Sequence, residues 1–124
     1  MEKNISLDKI QMRVVLTADS GEVNTETRFE FTQDDSIISA KYAGGRIRLG
    51  YLVGKIIGTK VNFRYAQIDN EGRIDSGHSV CEVSQTADGR IKLVEHFQWD
   101  SREGSGINVF EEVVQIKLDD FKKD

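Results

Sequence analysis

The sequence predicts an all-β protein, an antiparallel up-and-down meander that closes into a barrel of about eight strands. Apolar and polar residues alternate with a period of two, which is typical of strands with one buried face. Short segments rich in Gly, Asp and Asn separate these strands, and the 124 residues include 11 glycines and no proline. Such segments predict tight turns, and no segment shows the apolar spacing of an amphipathic helix.

The apolar faces of the first five strands coincide when tight turns join them, which a one-residue slip would prevent. The predicted pairs are Leu16–Thr25 and Met12–Phe29 across Ser20-Gly21, Phe31–Ile38 and Thr27–Tyr42 across Asp34-Asp35, Tyr42–Ile47, Ala40–Leu49 and Ile38–Tyr51 across Gly44-Gly45, and Ile57–Val61 and Val53–Tyr65 across a three-residue loop at 58–60. A further turn follows at residues 69–72.

The strand at residues 73–84 has two possible inward faces. One face carries Asp75, Gly77, Ser79 and Cys81, and the other carries Ile74, Ser76, His78 and Val80. A bulge could also switch faces within the strand. We favour the face with Gly77, Ser79 and Cys81, because small side chains would leave space in the interior.

Strands joined in order by short turns close most economically as a barrel, because closure removes both sheet edges. The interior of a barrel of this size is filled by side chains or holds one small ligand. A two-sheet sandwich is the alternative, but it usually needs longer crossover connections. The length suits a single domain over residues 1–124.

The last hairpin, residues 90–118, carries one glutamate on the apolar face of each strand. Its faces are Ile91, Leu93, Glu95, Phe97 and Trp99 on one strand, and Phe110, Glu112, Val114, Ile116 and Leu118 on the other. A register centred on the loop at 102–105 places Glu95 across from Glu112, Phe97 beside Phe110, and Trp99 beside Asn108. Directly opposed Cβ atoms lie about 4.5–5.5 Å apart.

Two carboxylates this close in an apolar interior share a proton or meet a hydrogen-bond donor or a cation. Lys55 lies toward one end of the predicted interior. The predicted ligand-binding residues are Glu95, Glu112, Tyr51, Tyr65, Gln67, Ser79, Phe97, Trp99 and Asn108. The alternatives are a buried network that is satisfied internally, or a different register that exposes one glutamate.

These residues predict binding of a small molecule that carries a hydrogen-bond donor or a positive charge. An enzyme using Glu95 and Glu112 as acid and base is one alternative, and a structural or interaction barrel with a filled core is another. We predict no catalytic residue, cofactor or metal site. Cys81 lacks an inward histidine partner, and His78 and His96 lie on different strands.

The net charge of −4 argues against a general nucleic-acid or anionic-membrane binder. The single cysteine excludes an intrachain disulfide. No apolar run is long enough for a signal or membrane helix, so a cytoplasmic location is the default expectation.

Four valines, Val15, Val94, Val109 and Val113, point outward near the strands where the barrel closes. Val94 is expected to lie opposite Val113. A contiguous apolar patch of this kind predicts a homodimer. A second candidate patch is Ile37, Leu52 and Ile56. A monomer is the alternative if Gln11, Arg13, His96 and Lys117 shield the valines.

Several segments resemble a family of small bacterial proteins of unknown function, often labelled "N-acetylglutamate synthase". They are residues 42–54 (YAGGRIRLGYLVG), 64–65 (RY) and 88–99 (DGRIKLVEHFQW), followed by Gly106 and residues 110–113 (FEEV). The resemblance covers about residues 21–113, and Trp is usual in that family where Phe97 stands here.

The label implies acetyl transfer from acetyl-CoA to glutamate. An acetyltransferase fold needs helices flanking a mixed sheet and a pyrophosphate-binding loop before a helix, and the sequence predicts neither. The meander is instead similar in plan to the calycins, which include lipocalins, fatty-acid-binding proteins and avidins. Similarity of fold does not by itself assign a function.

Overall fold

The computed structural model describes residues 5–114, which form a closed barrel of eight antiparallel strands. Each strand pairs with the next in the chain, and the last pairs with the first, which confirms the predicted all-β, calycin-like meander. The strands are β1 (Ile10–Leu16), β2 (Arg28–Asp34), β3 (Ile37–Gly44), β4 (Ile47–Ile57), β5 (Lys60–Asp69), β6 (Ile74–Gln85), β7 (Ile91–Trp99) and β8 (Ser105–Glu112). Within the described residues, no helix has the length and apolarity needed to cross a membrane.

Two segments outside the sheet close the ends of the barrel. Leu7, which precedes β1, is fully buried, and its backbone N–H donates to Oε1 of Gln33 over 2.8 Å. At the opposite end, residues 17–27 connect β1 to β2 and include the buried side chains of Glu22 and Thr27. The core therefore lies inside the barrel between these two covers.

The β1–β2 pairing follows the predicted register but ends early. Met12 pairs with Phe29 as predicted, and the ladder stops at Arg13–Arg28. The predicted Leu16–Thr25 pair is wrong, because residues 17–27 leave the sheet. The hydroxyl of Thr27 holds this loop by accepting from the Asn24 N–H over 3.1 Å and donating to the Gly44 carbonyl over 3.0 Å.

The β2–β3 register is shifted by two residues from the predicted one. Phe31 pairs with Ala40 and Phe29 with Tyr42, so the predicted Phe31–Ile38 and Thr27–Tyr42 pairs are wrong. The turn lies at Asp35-Ser36, and Asp35 has a φ of 55°. A shift of two residues keeps every side chain on its predicted face, because side chains alternate with a period of two.

Strand β4 keeps the predicted inward position of Ile47, but from Gly50 onward it turns the opposite face inward from the one predicted. Between Ile47 and Leu49, β4 has one more residue than the facing segment of β5, which is a β-bulge. Beyond it, Leu52 is buried and Tyr51 is exposed. The predicted pairs Tyr42–Ile47, Ala40–Leu49, Ile38–Tyr51, Ile57–Val61 and Val53–Tyr65 are therefore wrong, and the observed pairs are Tyr42–Gly50, Ala40–Leu52, Ile38–Gly54, Ile56–Val61 and Leu52–Tyr65.

A glycine explains the observed face of β4. Gly50 lies opposite Tyr42, and a Cβ at Gly50 would lie 2.3 Å from the Tyr42 ring. Only glycine leaves room for that ring inside the barrel. Lys55, which was expected near the interior, is exposed, and the β4–β5 turn has two residues, Gly58-Thr59, instead of three.

The two strands that precede β8 have the predicted faces. Gly77, Ser79 and Cys81 of β6 are buried, which confirms the favoured alternative for residues 73–84. All five predicted inward residues of β7 are buried, from Ile91 to Trp99. These faces bring the acid and the aromatic residues of the last hairpin into the interior.

Candidate functional site

A small cavity lies inside the barrel, beneath the loop of residues 17–27. Its volume is about 30 Å³, which leaves room for about two water molecules. Six of the thirteen residues lining it are aromatic, and three polar side chains line it from within the barrel. They are Gly21, Glu22, Val23, Phe29, Tyr42, Leu52, Phe63, Tyr65, Gln67, Glu95, Phe97, Trp99 and Asn108.

The polar wall of the cavity is built around Glu95. Ser79 donates its hydroxyl to Oε2 of Glu95 over 2.6 Å, and Asn108 donates its Nδ2 to Oε1 over 2.9 Å. Asn108 also accepts the backbone N–H of Ala18 through Oδ1 over 3.0 Å. One buried carboxyl group is therefore linked through Asn108 to the loop that covers the cavity.

The environment of Glu95 favours its neutral form. Burial raises the pKa of this carboxyl above its ordinary value of 4.5, and the hydrogen bonds from Ser79 and Asn108 oppose that effect. His96, which points outward on the same strand, also acts to lower the pKa. Burial also raises the pKa of the neighbouring Cys81 thiol, with a further contribution from the Glu95 charge.

Stacked aromatic rings form the apolar walls. The rings of Phe29 and Tyr42 stack with centroids 4.5 Å apart, and Trp99 meets Tyr65 edge to face at 5.5 Å. The hydroxyl of Tyr42 donates to Oε1 of Gln67 over 2.9 Å. Burial raises the pKa of Tyr42 and of Tyr65 above the ordinary value of 10.0, so both phenols stay protonated and available as donors.

Charged side chains gather at the covered end of the barrel. Glu22, only 4% exposed, lies 3.0 Å from Nη1 of Arg102, 3.1 Å from Nη2 of Arg73 and 3.5 Å from Nε of Arg46. We refer to Arg46, Arg73 and Arg102 as the arginine cluster. It sits directly above the cavity, because Glu22 lines the cavity as well.

Two further carboxylates contact Arg73 and Arg102 of the arginine cluster. Asp69 lies 3.4 Å from Nε of Arg73, and Asp75 lies 3.5 Å from Arg73 and 3.7 Å from Arg102. The backbone N–H groups of Arg73 and Glu71 donate to Asp69, and these hydrogen bonds lower the pKa of that carboxyl. Asp75 also accepts from the Ser101 hydroxyl over 2.8 Å.

Most of the predicted site residues lie at the cavity. Six of the nine line it, namely Tyr65, Gln67, Glu95, Phe97, Trp99 and Asn108. Ser79 stands behind Glu95 as a hydrogen-bond donor. Tyr51 is 55% exposed on the outside of the barrel. Its predicted inward position is wrong because of the bulge in β4.

The predicted Glu95–Glu112 pair is also wrong. Glu95 lies opposite Asn108, Phe97 opposite Gly106, and Leu93 opposite Phe110. Glu112 is partly exposed away from the cavity lining, and its Oε1 accepts the Ile91 N–H over 3.0 Å.

Packing of Phe97 accounts for this four-residue shift of register. A Cβ at Gly106 would lie 3.0 Å from the Phe97 ring and 2.5 Å from the Ala18 side chain. The observed register therefore places Gly106, which has no side chain, at the point where the Phe97 ring meets Ala18 of the covering loop. Ile116 and Leu118, predicted on the same face as Glu112, lie outside the described residues.

Sequence reasoning missed the residues at the covered end. Glu22 and the arginine cluster lie in connections between strands, where a period of two carries no information. Phe29 and Tyr42 were predicted to point inward but not assigned to a site. Among residues 5–114, no three His, Cys, Asp or Glu side chains are grouped so that they could hold a metal ion.

Comparison with known proteins identifies the family. The family described as "Avidin-like protein" matches residues 5–113. The chain belongs to the avidin-like family. This match agrees with the predicted calycin-like barrel. It gives no support to the N-acetylglutamate synthase label or to the acetyl transfer that the label implies. No curated protein and no solved structure matches the chain.

Proposed function

We propose that this avidin-like barrel binds one small molecule in the cavity beneath residues 17–27. The observation that carries the proposal is the combination of aromatic walls with a buried, hydrogen-bonded acid, Glu95, inside a closed barrel. Ligand sites in proteins are typically apolar concavities with a few polar groups that orient the ligand. Membership of the avidin-like family supports the same general function.

The polar groups define the chemistry of the ligand. Glu95 accepts hydrogen bonds from Ser79 and Asn108. In its neutral form the carboxyl also carries one O–H donor, and its carbonyl oxygen keeps a second acceptor position. A ligand that donates a hydrogen bond satisfies that position without placing a charge in the cavity. Gln67 uses its Oε1 to accept from Tyr42, which leaves its Nε2 as a donor toward the ligand.

The cavity is smaller than a typical ligand site. A volume of about 30 Å³ compares with roughly 300–1,000 Å³ for pockets that hold drug-sized molecules. Binding therefore requires the covering loop or the aromatic side chains to move. A barrel that keeps its interior filled and serves as a structural or interaction protein is the second candidate, and the small volume is the observation that favours it.

A screen of small metabolites by thermal shift tests the proposal, followed by affinity measurements on two matched variants. Glu95→Gln changes the acid in the cavity, and Glu112→Gln changes the same functional group outside it. We expect a ligand to bind the wild type and Glu112→Gln alike, and to bind Glu95→Gln at least about tenfold more weakly. Equal binding to the wild type and both variants, or no binder at all, would contradict the proposal.

The alternative of an acid–base enzyme needs Glu95 and Glu112 at one site, and of these two the structure places only Glu95 at the cavity. Its two carboxyls were to act at one site, but the hairpin register separates Glu112 from Glu95. General acid–base catalysis needs each group within hydrogen-bond reach of the reacting atoms. The carboxyl of Glu95 therefore supports binding better than it supports proton transfer.

We also propose that the protein forms a homodimer through the outer surface of β1, β7 and β8. Val94 lies opposite Val109 in the β7–β8 ladder, instead of the predicted Val113, and Val109 lies opposite Leu16 across the closure of the barrel. The four outward valines are half-buried, and Leu16 is exposed. The second predicted patch is wrong, because Leu52 and Ile56 are buried.

Light scattering tests the dimer. We expect a mass twice the 14.0 kDa of the chain, and we expect Val109→Lys to reduce it to that of the monomer. Val53→Lys places the same charge on an exposed position of β4 and is the control. A monomeric wild type, or a dimer that tolerates Val109→Lys, would contradict this placement.

A further inference from the structure

The cover of the cavity is held by polar contacts with little apolar packing. Trp99 donates its Nε1 to the Ser20 carbonyl over 2.9 Å, and the Ser20 hydroxyl donates to the Ser105 carbonyl over 2.6 Å. The Glu22 ion pairs add to these contacts. Val23 and Ala18 are the partly buried apolar residues by which this loop packs on the core.

The topology brings the arginine cluster to this cover. In an up-and-down barrel, alternate connections lie at the same end, so the β1–β2, β3–β4, β5–β6 and β7–β8 connections are neighbours. Arg46, Arg73 and Arg102 each come from a different one of the last three connections, and Glu22 comes from the first. One carboxylate of the cover therefore meets three guanidinium groups of the rim.

The arginine cluster can also be reached from solvent. A surface depression of about 350 Å³ lies over Glu22 and is lined by all three arginines, together with Asp19 and Glu103. Arg46 and Arg73 keep more than half of their side-chain surface exposed. A dissolved anion can thus approach the same guanidinium groups that Glu22 occupies.

Glu22 is the one carboxylate of the cover that contacts all three arginines, and Asp19 and Glu103 lie in the same depression. Three arginines face three carboxylates, those of Glu22, Asp69 and Asp75. If the loop lifts, Glu22 leaves all three guanidinium groups. Asp69 and Asp75 then still contact Arg73 and Arg102, whereas Arg46 loses the one carboxylate that it contacts among the described residues. Oε2 of Glu22 has no hydrogen-bond partner among the described residues, although Nε of Arg46 lies 3.5 Å away. Glu22 is therefore not fully satisfied in the closed state.

We infer that the arginine cluster is an anion site, that Glu22 occupies it as an internal substitute, and that a small molecule with an anionic group displaces Glu22 and opens the cover. This inference rests on the proposed function and adds the class of ligand, a small organic acid. Its anionic group binds the arginine cluster, and its body enters the cavity. Arginine suits this role because its planar donors match the geometry of carboxylate and other oxyanions.

Trp99 reports on the cover directly. It is the single tryptophan of the chain, it bonds to Ser20, and the guanidinium of Arg102 lies 4.4 Å above its ring. Opening the cover removes the Ser20 hydrogen bond and moves the loop away from the indole. Tryptophan emission and its quenching by acrylamide therefore measure the open fraction.

Binding of inorganic sulfate to Glu22→Gln tests the anion site, with Glu103→Gln as the matched control. Both variants remove one negative charge from the same rim, but only Glu22→Gln frees the guanidinium groups. We expect sulfate to raise the thermal midpoint of Glu22→Gln by about 4 °C relative to chloride at equal ionic strength. We expect Glu103→Gln to show no such difference. An equal response in both variants, or none in Glu22→Gln, would overturn the inference.

The wild type provides a second measurement that does not depend on the folding of a variant. Sulfate should compete with Glu22 and increase acrylamide quenching of Trp99 more than chloride does at equal ionic strength. Unchanged quenching would count against displacement of Glu22. These sulfate experiments need no organic ligand, so they separate the two hypotheses. Sulfate binding without any metabolite hit contradicts only the proposed function, and a bound metabolite without a sulfate response contradicts only the anion site.

Discussion

Asn108 lies directly opposite Glu95 in the β7–β8 ladder and donates its amide to the buried carboxyl over 2.9 Å. The same side chain accepts the Ala18 N–H, so one residue connects the acid of the cavity to the covering loop. This contact takes the place of the second glutamate that the sequence pattern predicted. A neutral amide can face the acid without electrostatic repulsion, whereas a second carboxylate cannot.

Removing this amide should destabilise the barrel. Asn108→Ala leaves an oxygen of Glu95 and the Ala18 N–H without their partner, and we expect the free energy of unfolding to fall by about 2–3 kcal/mol. Urea unfolding measures the change. Asn62→Ala, at an exposed position of β5, is the control and should stay within about 0.5 kcal/mol of the wild type. If the two variants lost the same free energy of unfolding, the hydrogen bonds of Asn108 would make no specific contribution to stability.

The raised pKa of Glu95 predicts a specific dependence on pH. The folded state holds this proton more tightly than the unfolded state, so the carboxyl contributes its full stability below pH 4.5 and loses it as the pH rises through the folded pKa. We expect the free energy of unfolding of Glu95→Gln to rise relative to the wild type across that range. Denaturant unfolding at a series of pH values measures the difference, and a difference independent of pH would contradict the prediction.

Two neighbouring residues test the inward face of β4. Leu52 is buried, so we expect Leu52→Ala to cost about 2–4 kcal/mol through lost packing and a cavity. Tyr51 is 55% exposed, and we expect Tyr51→Ser to change the free energy of unfolding by less than about 1 kcal/mol. Chemical denaturation of the two variants makes the comparison. The reverse order would place the bulge elsewhere.

Gly50 and Tyr42 should be energetically coupled. A methyl group at Gly50 would overlap the Tyr42 ring, so we expect Gly50→Ala to destabilise the protein by about 1–3 kcal/mol. Tyr42→Leu replaces the aromatic ring by a smaller side chain and so makes room for the methyl group at position 50. In a double-mutant cycle, we therefore expect Gly50→Ala to cost less stability when Tyr42→Leu is present. Additive effects would mean that the glycine serves another purpose.

The sequence by itself determined the fold class and the inward position of most cavity residues. Alternation along β5 and β7 was enough to place Tyr65, Gln67, Glu95, Phe97 and Trp99 inside, because a strand buries every second residue whatever its partner is. The absence of a crossover connection of the kind a two-sheet sandwich needs was enough to predict a meander that closes. These are local, periodic properties, and they do not depend on how neighbouring strands are aligned.

Only the tertiary structure decided which inward residues meet. Shifts of two residues between β2 and β3, and of four between β7 and β8, leave every face unchanged, so alternation cannot detect them. Packing of Phe97 against Gly106 selected the second register and separated Glu95 from Glu112. Closure of the barrel brought Glu22 to the arginine cluster, through connections in which the chain has no period. The bulge in β4 acts differently: its one extra residue changes the phase of the alternation and so reverses the inward face of the rest of the strand.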